Sequence, residues 1–406
     1  MTDWLLLEEH ERREVSPSQL TQLDADQLFE RYGTGDAVLD IEWPSPKTRG
    51  QYVVSAKGAV GALPLPTGGG VRIAPKVPLD NLFRMLETAY DIRIRDFDEH
   101  VSVASVDDLF DRLAHRLATA VLRRVQRGLI KEYHQFSDRL PYVRGRLDVG
   151  RLASAMDRSQ VDCDFDEHTA DVHDNQVLVW TLHRFVRSPV LTHRTRSHVQ
   201  RALYGVGPAA SVKPIASIHA VRRFYDRLRM DYRPMHLLCR FLLENAGPTH
   251  FDGDRETTAF VVQMPRLFER YVAADLVTRL PGHLRLDAHE RINLSTEHAL
   301  HFDVDLVLRD RTSGKALMVL DTKYKAHDRP STDDVSQVAS YALAVGCNDA
   351  ALVYPSSGKF TLTPLGHVVV RRLGWPLTGD LDDQGDRFAE LVTQLSGKGD
   401  DLIGQS

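Results

Sequence analysis

The hydrophobic and polar positions of the chain fall into three successive patterns. Residues 1–75 contain short apolar runs on either side of one segment with helical spacing, which ends at a glycine; the runs are WLLLEE and QYVVSA, and the segment is SPSQLTQLDADQLFERYG. In the stretch that follows, GAVGALPLPTGGGVRIAPKV, segments with alternating apolar residues lie on either side of Thr67–Gly70. This alternation predicts a β-hairpin or a small β-module. The N-terminal part is therefore predicted to be β-rich with one helix.

From Asp80 to about Arg240 the apolar residues recur mostly every three to four positions, which predicts a helical region. The clearest helical segments are NLFRMLETAYDI, VDDLFDRLAHRLATAVLRRVQRGLIKEY and NQVLVWTLHRFVRS. One stretch, HAVRRFYDRLRMDYRP, places arginines at 222, 223, 227, 229 and 233 among three aromatic residues. Arginines interleaved with aromatics suit phosphate contact and base stacking. Alternatively, they form a solvated helix face paired with its own acids.

The pattern changes again after the loop-like segment ENAGPTHFDGDRE at about 245–257. It predicts a helix, three strands, a helix that Ser331 and Asp334 open with a capping signal, and a last strand. The segments are MPRLFERYVAADLVTRL, LRLDAHERINL, HFDVDLVLRD, KALMVLDTKYK, STDDVSQVASYALAVG and DAALVYP. This αβββαβ order should end in a right-handed parallel crossover. A short helix and a polar tail are expected beyond Leu377.

We therefore predict a multidomain protein of the α+β and α/β classes. Its domains are an N-terminal β-rich module over residues 1–78, a helical region over 79–250 that contacts a partner or DNA, and a C-terminal αβββαβ domain over 251–406. The 406 residues are 42% hydrophobic and 26% charged, which is ordinary for a globular protein that needs no disulfide or metal to build a core. Disordered, collagen-like and repeat-array proteins are excluded.

Charge and cysteine content narrow the function classes further. The net charge of −5 is no argument for a nucleic-acid partner, although a local basic face can lie within a near-neutral total. Cys163, Cys239 and Cys347 lie far apart, which argues against a disulfide framework or zinc site and fits a reducing cytoplasm. The N-terminus is not typical of a signal peptide, and no run of 18 apolar residues occurs. We expect a cytoplasmic protein without membrane contact.

A glycine triplet at 68–70 resembles a phosphate-binding loop only superficially. The motif G-x-x-x-x-G-K-[ST] does not occur in the chain. We interpret the triplet as a tight turn, so the chain is expected to hydrolyse no nucleotide by itself.

The candidate chemistry lies in the hairpin HFDVDLVLRDRTSGKALMVLDTKYK. Asp305 and Asp321 are symmetric about position 313, so antiparallel pairing sets them opposite each other. Lys323 shares a strand face with Asp321, because side chains at i and i+2 project together. Two adjacent carboxylates ionise together only with a cation between them, and Mg²⁺ prefers such oxygen ligands. Mg²⁺ would lower the pKa of a bound water. Lys323 would hold or activate that water and add positive charge at the scissile phosphate. Alternatively, Asp321 and Lys323 form a surface ion pair on an edge strand.

The residues Asp305…Asp321-x-Lys323 resemble the signature of PD-(D/E)XK nucleases. The surrounding words, in order, resemble McrC, the nuclease subunit of McrBC-type systems that restrict modified (5-methylcytosine) DNA; they include GLIKEYHQFSDRLPYVRGRLDV, DEHTADVHDNQVL, LFERYV and VLDTKYK. The resemblance covers most of the chain. One departure concerns strand geometry more than chemistry: Val304 stands where this family usually has proline. A second acid, Asp303, lies on the same strand face, but only Asp305 matches the register.

The resemblance implies a restriction-endonuclease-like C-terminal fold and two supporting residues. Glu269, on the first helix of this domain, would reach the metal; alternatively it forms a helix-face salt bridge. Gln337 would lie at the edge of the active site, and Tyr341, one turn later, would pack in the core.

The implied function is that of a Mg²⁺-dependent endonuclease subunit. It would cleave double-stranded, modified DNA together with an McrB-like AAA+ GTPase whose hydrolysis it stimulates. The N-terminal half would dock the partner, and Arg123, Arg124, Arg127 and Arg144 are candidates to approach the partner's nucleotide. Two alternatives stay open: a non-catalytic adaptor with a nuclease-like fold, against which the intact Asp305, Asp321 and Lys323 argue, and a stand-alone repair nuclease.

Overall fold

The computed structural model describes residues 4–35, 37–65, 69–92, 105–154, 159–188, 190–252, 255–294, 300–325, 329–361 and 364–397. The predicted turn residues Thr67 and Gly68 and the predicted polar tail beyond residue 397 lie outside the described residues. In the described residues the α-helices are α1 (Gln22–Tyr32), α2 (Leu79–Tyr90), α3 (Val106–Arg127), α4 (Val149–Ser154), α5 (His173–Phe185), α6 (His193–Val206), α7 (Tyr232–Glu244), α8 (Met264–Arg279), α9 (Thr332–Val345) and α10 (Leu381–Ser396).

The strands come in two groups along the chain. The first nine are β1 (Trp4–Glu8), β2 (Arg12–Val15), β3 (Leu39–Glu42), β4 (Tyr52–Ala56), β5 (Ala59–Pro64), β6 (Gly70–Ala74), β7 (Glu132–Leu140), β8 (Arg146–Leu147) and β9 (Val161–Thr169). The others are β10 (Ala246–Asp252), β11 (Arg255–Gln263), β12 (Leu284–Asn293), β13 (His301–Asp310), β14 (Ala316–Thr322), β15 (Asp349–Tyr354), β16 (Lys359–Thr361) and β17 (Val369–Gly374).

The chain divides into two compact units that differ from the three predicted domains. Residues 1–108 and 259–406 form the first unit, and residues 109–258 form the second. The predicted boundary near 250 lies close to a unit boundary, but the predicted boundary at 78 does not. The physical reason is that the two ends of the chain pack together, since β11 pairs with β5 and α2 packs against α8. A fragment ending near residue 250 would therefore divide the first unit.

The N-terminal part of the first unit is β-rich with one helix, as predicted. β5 and β6 form the predicted antiparallel hairpin, while β1 pairs with β6 in parallel and β11 joins β5. Gly61 has φ +137°, and a Cβ there would overlap the carbonyl oxygen of Phe260. Only glycine permits this close approach of β5 to β11. A smaller sheet, in the order β2-β4-β3, shares an apolar core with α1.

The C-terminal part of the first unit follows the predicted αβββαβ order from α8 to β15. Its six-stranded sheet has the order β12-β13-β14-β15-β17-β16, with β14 and β15 parallel as predicted. α9 packs against β14 and β15, and its N-terminus carries the predicted capping box of Ser331 and Asp334. The strands β16 and β17 were not predicted. Because β14 lies between β13 and β15, the candidate residues at its C-terminal end do not lie on an edge strand.

The second unit contains α4–α7 and most of α3, together with a sheet that was not predicted, in the order β7-β9-β8. β7 is exposed over most of its length, so its residues EYHQFSDRL lack an apolar face that a periodicity could reveal. β10 and β11 likewise replace the predicted loop at 245–257. The prediction of a mostly helical region was therefore wrong at β7, β8 and β9, and the prediction of a loop was wrong at β10 and the start of β11.

The described helices provide no candidate membrane span, because none is both long and apolar enough to cross a bilayer. All three cysteines are buried free thiols.

Candidate active site

The pairing of β13 with β14 sets the positions of the two candidate carboxylates. Leu306 pairs with Leu320, and one step further along this register Asp305 stands opposite Asp321. Oδ2 of Asp305 accepts hydrogen bonds from the backbone N–H and hydroxyl of Thr322, at 3.0 and 3.2 Å. Asp321 is only 2% exposed. The structure thus places two acids side by side at the end of a strand pair, one of them almost fully buried.

Lys323 follows directly after β14 and lies against Asp321. Its Nζ is 2.7 Å from Oδ2 of Asp321 and donates a hydrogen bond to Oε1 of Gln337 at 2.9 Å. Gln337 lies on α9, and its Nε2 donates to the hydroxyl of Tyr341, one helical turn later, at 2.7 Å. The buried Tyr341 ring packs edge-on against Phe302 in the apolar core. Four predicted site residues, Asp305, Asp321, Lys323 and Gln337, therefore lie together.

The charges of this cluster perturb one another. Burial, with the charge of Asp305 added, raises the pKa of Asp321 to about 7, and Lys323 only partly offsets this rise. Burial lowers the pKa of Lys323, but the carboxylates of Asp321, Asp334 and Asp305 outweigh it and the net shift is upward. Lys323 is therefore an ammonium at neutral pH, whereas Asp321 resists ionisation without a further positive charge.

Glu269 projects from α8 near the same cluster. Burial, with a contribution from Asp305, raises its pKa to about 7. Its Oε1 lies 3.1 Å from Nδ1 of His289. His289 has φ +54° and stands on β12 opposite Asp305 of β13. A positive φ is uncommon for a non-glycine residue and marks local strain. Glu269 thus contacts a residue of another element, unlike the helix-face salt bridge that was the alternative.

The donor set suits a divalent cation held by two protein carboxylates. Among the described residues, no group of three or more His, Cys, Asp or Glu side chains is arranged to hold a metal ion, and the role of Glu269 as a metal ligand stays a prediction. Mg²⁺ typically uses one or two carboxylates and completes its shell with water and substrate oxygens. Oδ2 of Asp321 is buried, and the ammonium of Lys323 lies 2.7 Å from it. Asp305 and Asp321 fit such an ion, and its charge would favour their ionised forms.

Asp303 does not belong to the cluster. Its exposed carboxylate pairs with Arg291 on β12 at 2.9 Å, and this hydrogen bond lowers its pKa. Asp305 is the acid that faces Asp321, in agreement with the register argument.

Sequence reasoning missed two polar contacts of the site. The hydroxyl of Thr322 holds Asp305, and Asp334 holds Lys325 at 2.7 Å and approaches Lys323 at 3.9 Å. Asp334 was recognised only as a capping residue. Lys323 and Lys325 alternate along the chain just before the acidic first turn of α9, and this pattern could have indicated that Asp334 pairs with a lysine.

In the second unit, the arginines of the arginine-rich stretch differ in their contacts. Arg222 donates two hydrogen bonds to the fully buried Asp174, at 2.7 and 2.6 Å, and Arg229 pairs with Glu132, Asp226 and Asp174. Arg223 and Arg227 are exposed and form no ion pair with any described residue, beside a Phe224 that is 78% exposed. The stretch is not helical before Tyr232. Arg222 and Arg229 are thus structural, whereas contact of Arg223 and Arg227 with phosphate stays a prediction.

A family model described as "McrBC 5-methylcytosine restriction system component" matches residues 54–355, which is most of the chain and includes every candidate site residue above. The chain belongs to this family. The resemblance drawn from the sequence is confirmed at this level.

Two relatives extend the comparison. The chain is 20% identical over 261 residues to the type IV methyl-directed restriction enzyme EcoKMcrBC of Escherichia coli K12, covering 62% of this chain and 74% of that protein. Among solved structures, it is similar to a chain in the Thermococcus gammatolerans assembly of McrB AAA+ hexamers with bound McrC. That match has a TM-score of 0.59 and 17% identity, and covers 97% of this chain and 100% of the other. This likeness shows a shared mixed α/β fold over nearly the whole length.

Proposed function

We propose that this protein is the Mg²⁺-dependent DNA endonuclease subunit of a modification-dependent restriction complex. The single observation that carries the proposal is the buried arrangement of Asp321 and Lys323 opposite Asp305. Membership of the McrBC family supports the biological setting. The C-terminal domain would then be a restriction-endonuclease-like PD-(D/E)XK domain, as the αβββαβ order supports.

The protein's own residues prepare the site for phosphodiester hydrolysis. Asp305 and Asp321 would hold Mg²⁺, which when bound supplies a Lewis acid and lowers the pKa of its water. Thr322 orients Asp305 through two hydrogen bonds, and Gln337 orients the ammonium of Lys323. Because Lys323 stays protonated, it donates hydrogen bonds to the attacking water or a phosphate oxygen rather than accepting a proton. It also adds positive charge where the transition state gathers negative charge.

The second unit is the proposed DNA-contacting part. Counted over the sequence, it carries 24 Lys and Arg against 17 Asp and Glu, a net charge of +7, whereas the first unit carries 27 against 39, a net of −12. A basic domain inside an acidic chain is typical of polyanion binding. An open groove of about 730 Å³ in this unit is lined by Lys131 and Arg227, among others. Both are exposed and form no ion pair within the described residues.

The partner would be an McrB-like AAA+ GTPase, whose hydrolysis the chain would stimulate. The similar Thermococcus chain comes from an assembly of McrB AAA+ hexamers with bound McrC, which supports this pairing. Of the four arginines considered for approach to a partner's nucleotide, Arg124 pairs with Asp231 at 2.7 Å and Arg144 lies over the ring of Phe165. Arg123 and Arg127 are exposed on α3 and form no ion pair within the described residues. They are therefore the stronger candidates for stimulation in trans.

The experiment that tests the proposal is reconstitution of the full chain with an McrB-type partner from the same organism. Linear DNA with and without 5-methylcytosine is incubated with GTP and Mg²⁺, and cleavage is followed on gels. We expect cleavage of methylated DNA that needs both proteins, GTP and Mg²⁺. Cleavage without the partner would favour a stand-alone repair nuclease, and partner activation without any cleavage would favour a non-catalytic adaptor.

A further inference from the structure

A buried glutamate of the N-terminal sheet contacts the segment that carries Lys323. Glu9 directly follows β1, and its backbone N–H donates to the carbonyl oxygen of Ala74 at 3.0 Å. Its side chain is fully buried. Oε2 of Glu9 accepts a hydrogen bond from the hydroxyl of Tyr324 at 3.0 Å. Residues more than 300 positions apart are thus joined next to the candidate active site.

The segment Thr322–Lys325 depends on side-chain contacts for its position. β14 ends at Thr322, after which the N–H of Lys323 donates to the carbonyl oxygen of Val353 at 2.8 Å. The side chains of the segment alternate in their contacts. Lys323 and Lys325 pair with Asp321 and Asp334, whereas Thr322 donates to Asp305 and Tyr324 donates to Glu9. Glu9 is therefore the anchor on one side of a segment whose other side holds the lysine.

The ring of Tyr324 lies near two other aromatic rings. Its ring lies 5.9 Å from that of Phe268, which directly precedes Glu269 on α8, and 6.4 Å from the ring of His10. Burial raises the pKa of its phenol, so the hydroxyl stays a donor. Tyr324 thus lies between the strand end that carries Lys323 and the helix that carries Glu269.

Stability alone gives no reason for a carboxyl group at this place. Burial raises the pKa of Glu9 to about 7, although the Tyr324 hydroxyl and Lys76 act to lower it. Oε1 makes no hydrogen bond within the described residues, and Nε2 of His10 lies 3.6 Å away. Burying such a group without full hydrogen bonding costs free energy. Costly buried polar groups are concentrated at functional sites.

We infer that Glu9 is a positioning residue of the nuclease site: its hydrogen bond with Tyr324 fixes the segment Thr322–Lys325 and thereby places the ammonium of Lys323 beside Asp321. The inference rests on the proposed function. Glu9 directly follows β1, which precedes the family-matched residues 54–355 but pairs with β6 inside them. A catalytic group works only when neighbouring side chains hold it in place, and a misplacement of about 1 Å can cost about 100-fold in rate.

The test compares four variants of the full chain, each assembled with its partner. Glu9→Ala and Tyr324→Phe remove the hydrogen bond, Glu9→Gln keeps an acceptor, and Glu8→Ala removes the exposed neighbouring carboxylate as a matched control. At saturating Mg²⁺ and DNA, we expect single-turnover cleavage to slow about 10-fold or more in Glu9→Ala and Tyr324→Phe. Glu9→Gln and Glu8→Ala should cleave at the rate of the unmodified chain. The double variant Glu9→Ala/Tyr324→Phe should be no slower than either single variant.

A second measurement does not depend on activity. Hydrogen exchange of the peptide that spans residues 316–325, measured on the metal-free chain, should be faster in Glu9→Ala and Tyr324→Phe and unchanged in Glu9→Gln. Unchanged exchange and cleavage in Glu9→Ala would overturn the inference. Equal loss of cleavage and thermal stability in Glu9→Ala and Glu9→Gln would also overturn it, because that pattern indicates only a packing role. If the unmodified chain fails to cleave DNA, the proposed function fails, while hydrogen exchange still tests the contact.

Discussion

The ammonium nitrogen of Lys323 lies 2.7 Å from Oδ2 of Asp321, at the end of an inner strand of a six-stranded sheet. The two residues are two positions apart at the end of β14, and only 2% of Asp321 is exposed. A buried pair of this kind is weak evidence for stability, because desolvation offsets most of the attraction. The position of the Asp321–Lys323 pair opposite Asp305 instead supports the proposed catalytic role.

We expect Gln337→Ala to slow DNA cleavage about 10-fold. The variant removes the acceptor that holds Nζ of Lys323 at 2.9 Å, and a hydrogen bond to a charged group contributes about 1.5 kcal/mol or more. Ser340→Ala is the matched control, because Ser340 lies on the same helix and its hydroxyl donates to the backbone carbonyl oxygen of Ser336 at 2.7 Å. Single-turnover rates of the assembled complex give the comparison. Equal rates for both variants would remove Gln337 from the site.

Asp321→Asn should stabilise the metal-free protein at pH 8 and leave it unchanged near pH 4. The pKa of Asp321 is about 7 in the folded chain and 3.8 by its ordinary value, so between these values the folded state binds more protons than the unfolded state. The contribution of Asp321 to the free energy of unfolding is therefore fully present below pH 4 and is lost as the pH rises through 7. Asparagine does not ionise, so the variant keeps its stability at pH 8.

The measurement is thermal unfolding in EDTA and again with Mg²⁺, from pH 4 to 8. Mg²⁺ should raise the melting temperature of the unmodified chain at pH 8 and should have little effect on Asp321→Asn. An equal response of both proteins to Mg²⁺ would count against Asp321 as a ligand.

Substitutions at the adjacent residues Arg222 and Arg223 should have different effects, one on stability and the other on DNA binding. Arg222→Ala leaves the buried Asp174 without its two-fold hydrogen bond and should cost on the order of 3 kcal/mol of stability, moderated by the nearby Arg229. Arg223→Ala should leave stability unchanged and weaken binding of duplex DNA, with a smaller salt dependence. Denaturant unfolding and fluorescence anisotropy in EDTA report the two effects. If Arg223→Ala binds DNA as tightly as the unmodified chain, Arg223 makes no phosphate contact.

The purified chain should hydrolyse neither GTP nor ATP, because its sequence contains no G-x-x-x-x-G-K-[ST] loop. With the partner present, replacement of both Arg123 and Arg127 by alanine should reduce stimulation of GTP hydrolysis. Phosphate release from each protein alone and from the mixture measures both effects. Hydrolysis by the highly purified chain alone would contradict the first expectation.

The αβββαβ part of the fold could be predicted because β13, β14 and β15 contain buried apolar runs, α8 has proline in its first turn and α9 begins at a capping box. The symmetry of Asp305 and Asp321 about position 313 was readable from the sequence, since a short turn leaves the register of β13 and β14 few alternatives. The exposed sheet of β7, β8 and β9 could not be predicted, because a strand without a buried face has no apolar alternation.

Long-range contacts set the rest of the site. Nothing in the local sequence indicates that Glu9 reaches Tyr324 or that His289 pairs with Glu269, since each contact depends on how distant elements pack. The division into two units was missed for the same reason: β11 returns to pair with β5 only in the folded chain.

The most direct test of the central claim compares Asp321→Asn with Asp303→Asn in cleavage of methylated DNA by the assembled complex. Both variants remove one carboxylate charge from neighbouring strands, but Asp321 is buried beside Lys323, whereas Asp303 is exposed and paired with Arg291. We predict that Asp321→Asn abolishes cleavage while keeping partner binding and GTP hydrolysis, and that Asp303→Asn cleaves at nearly the rate of the unmodified chain. Undiminished cleavage by Asp321→Asn would contradict the account.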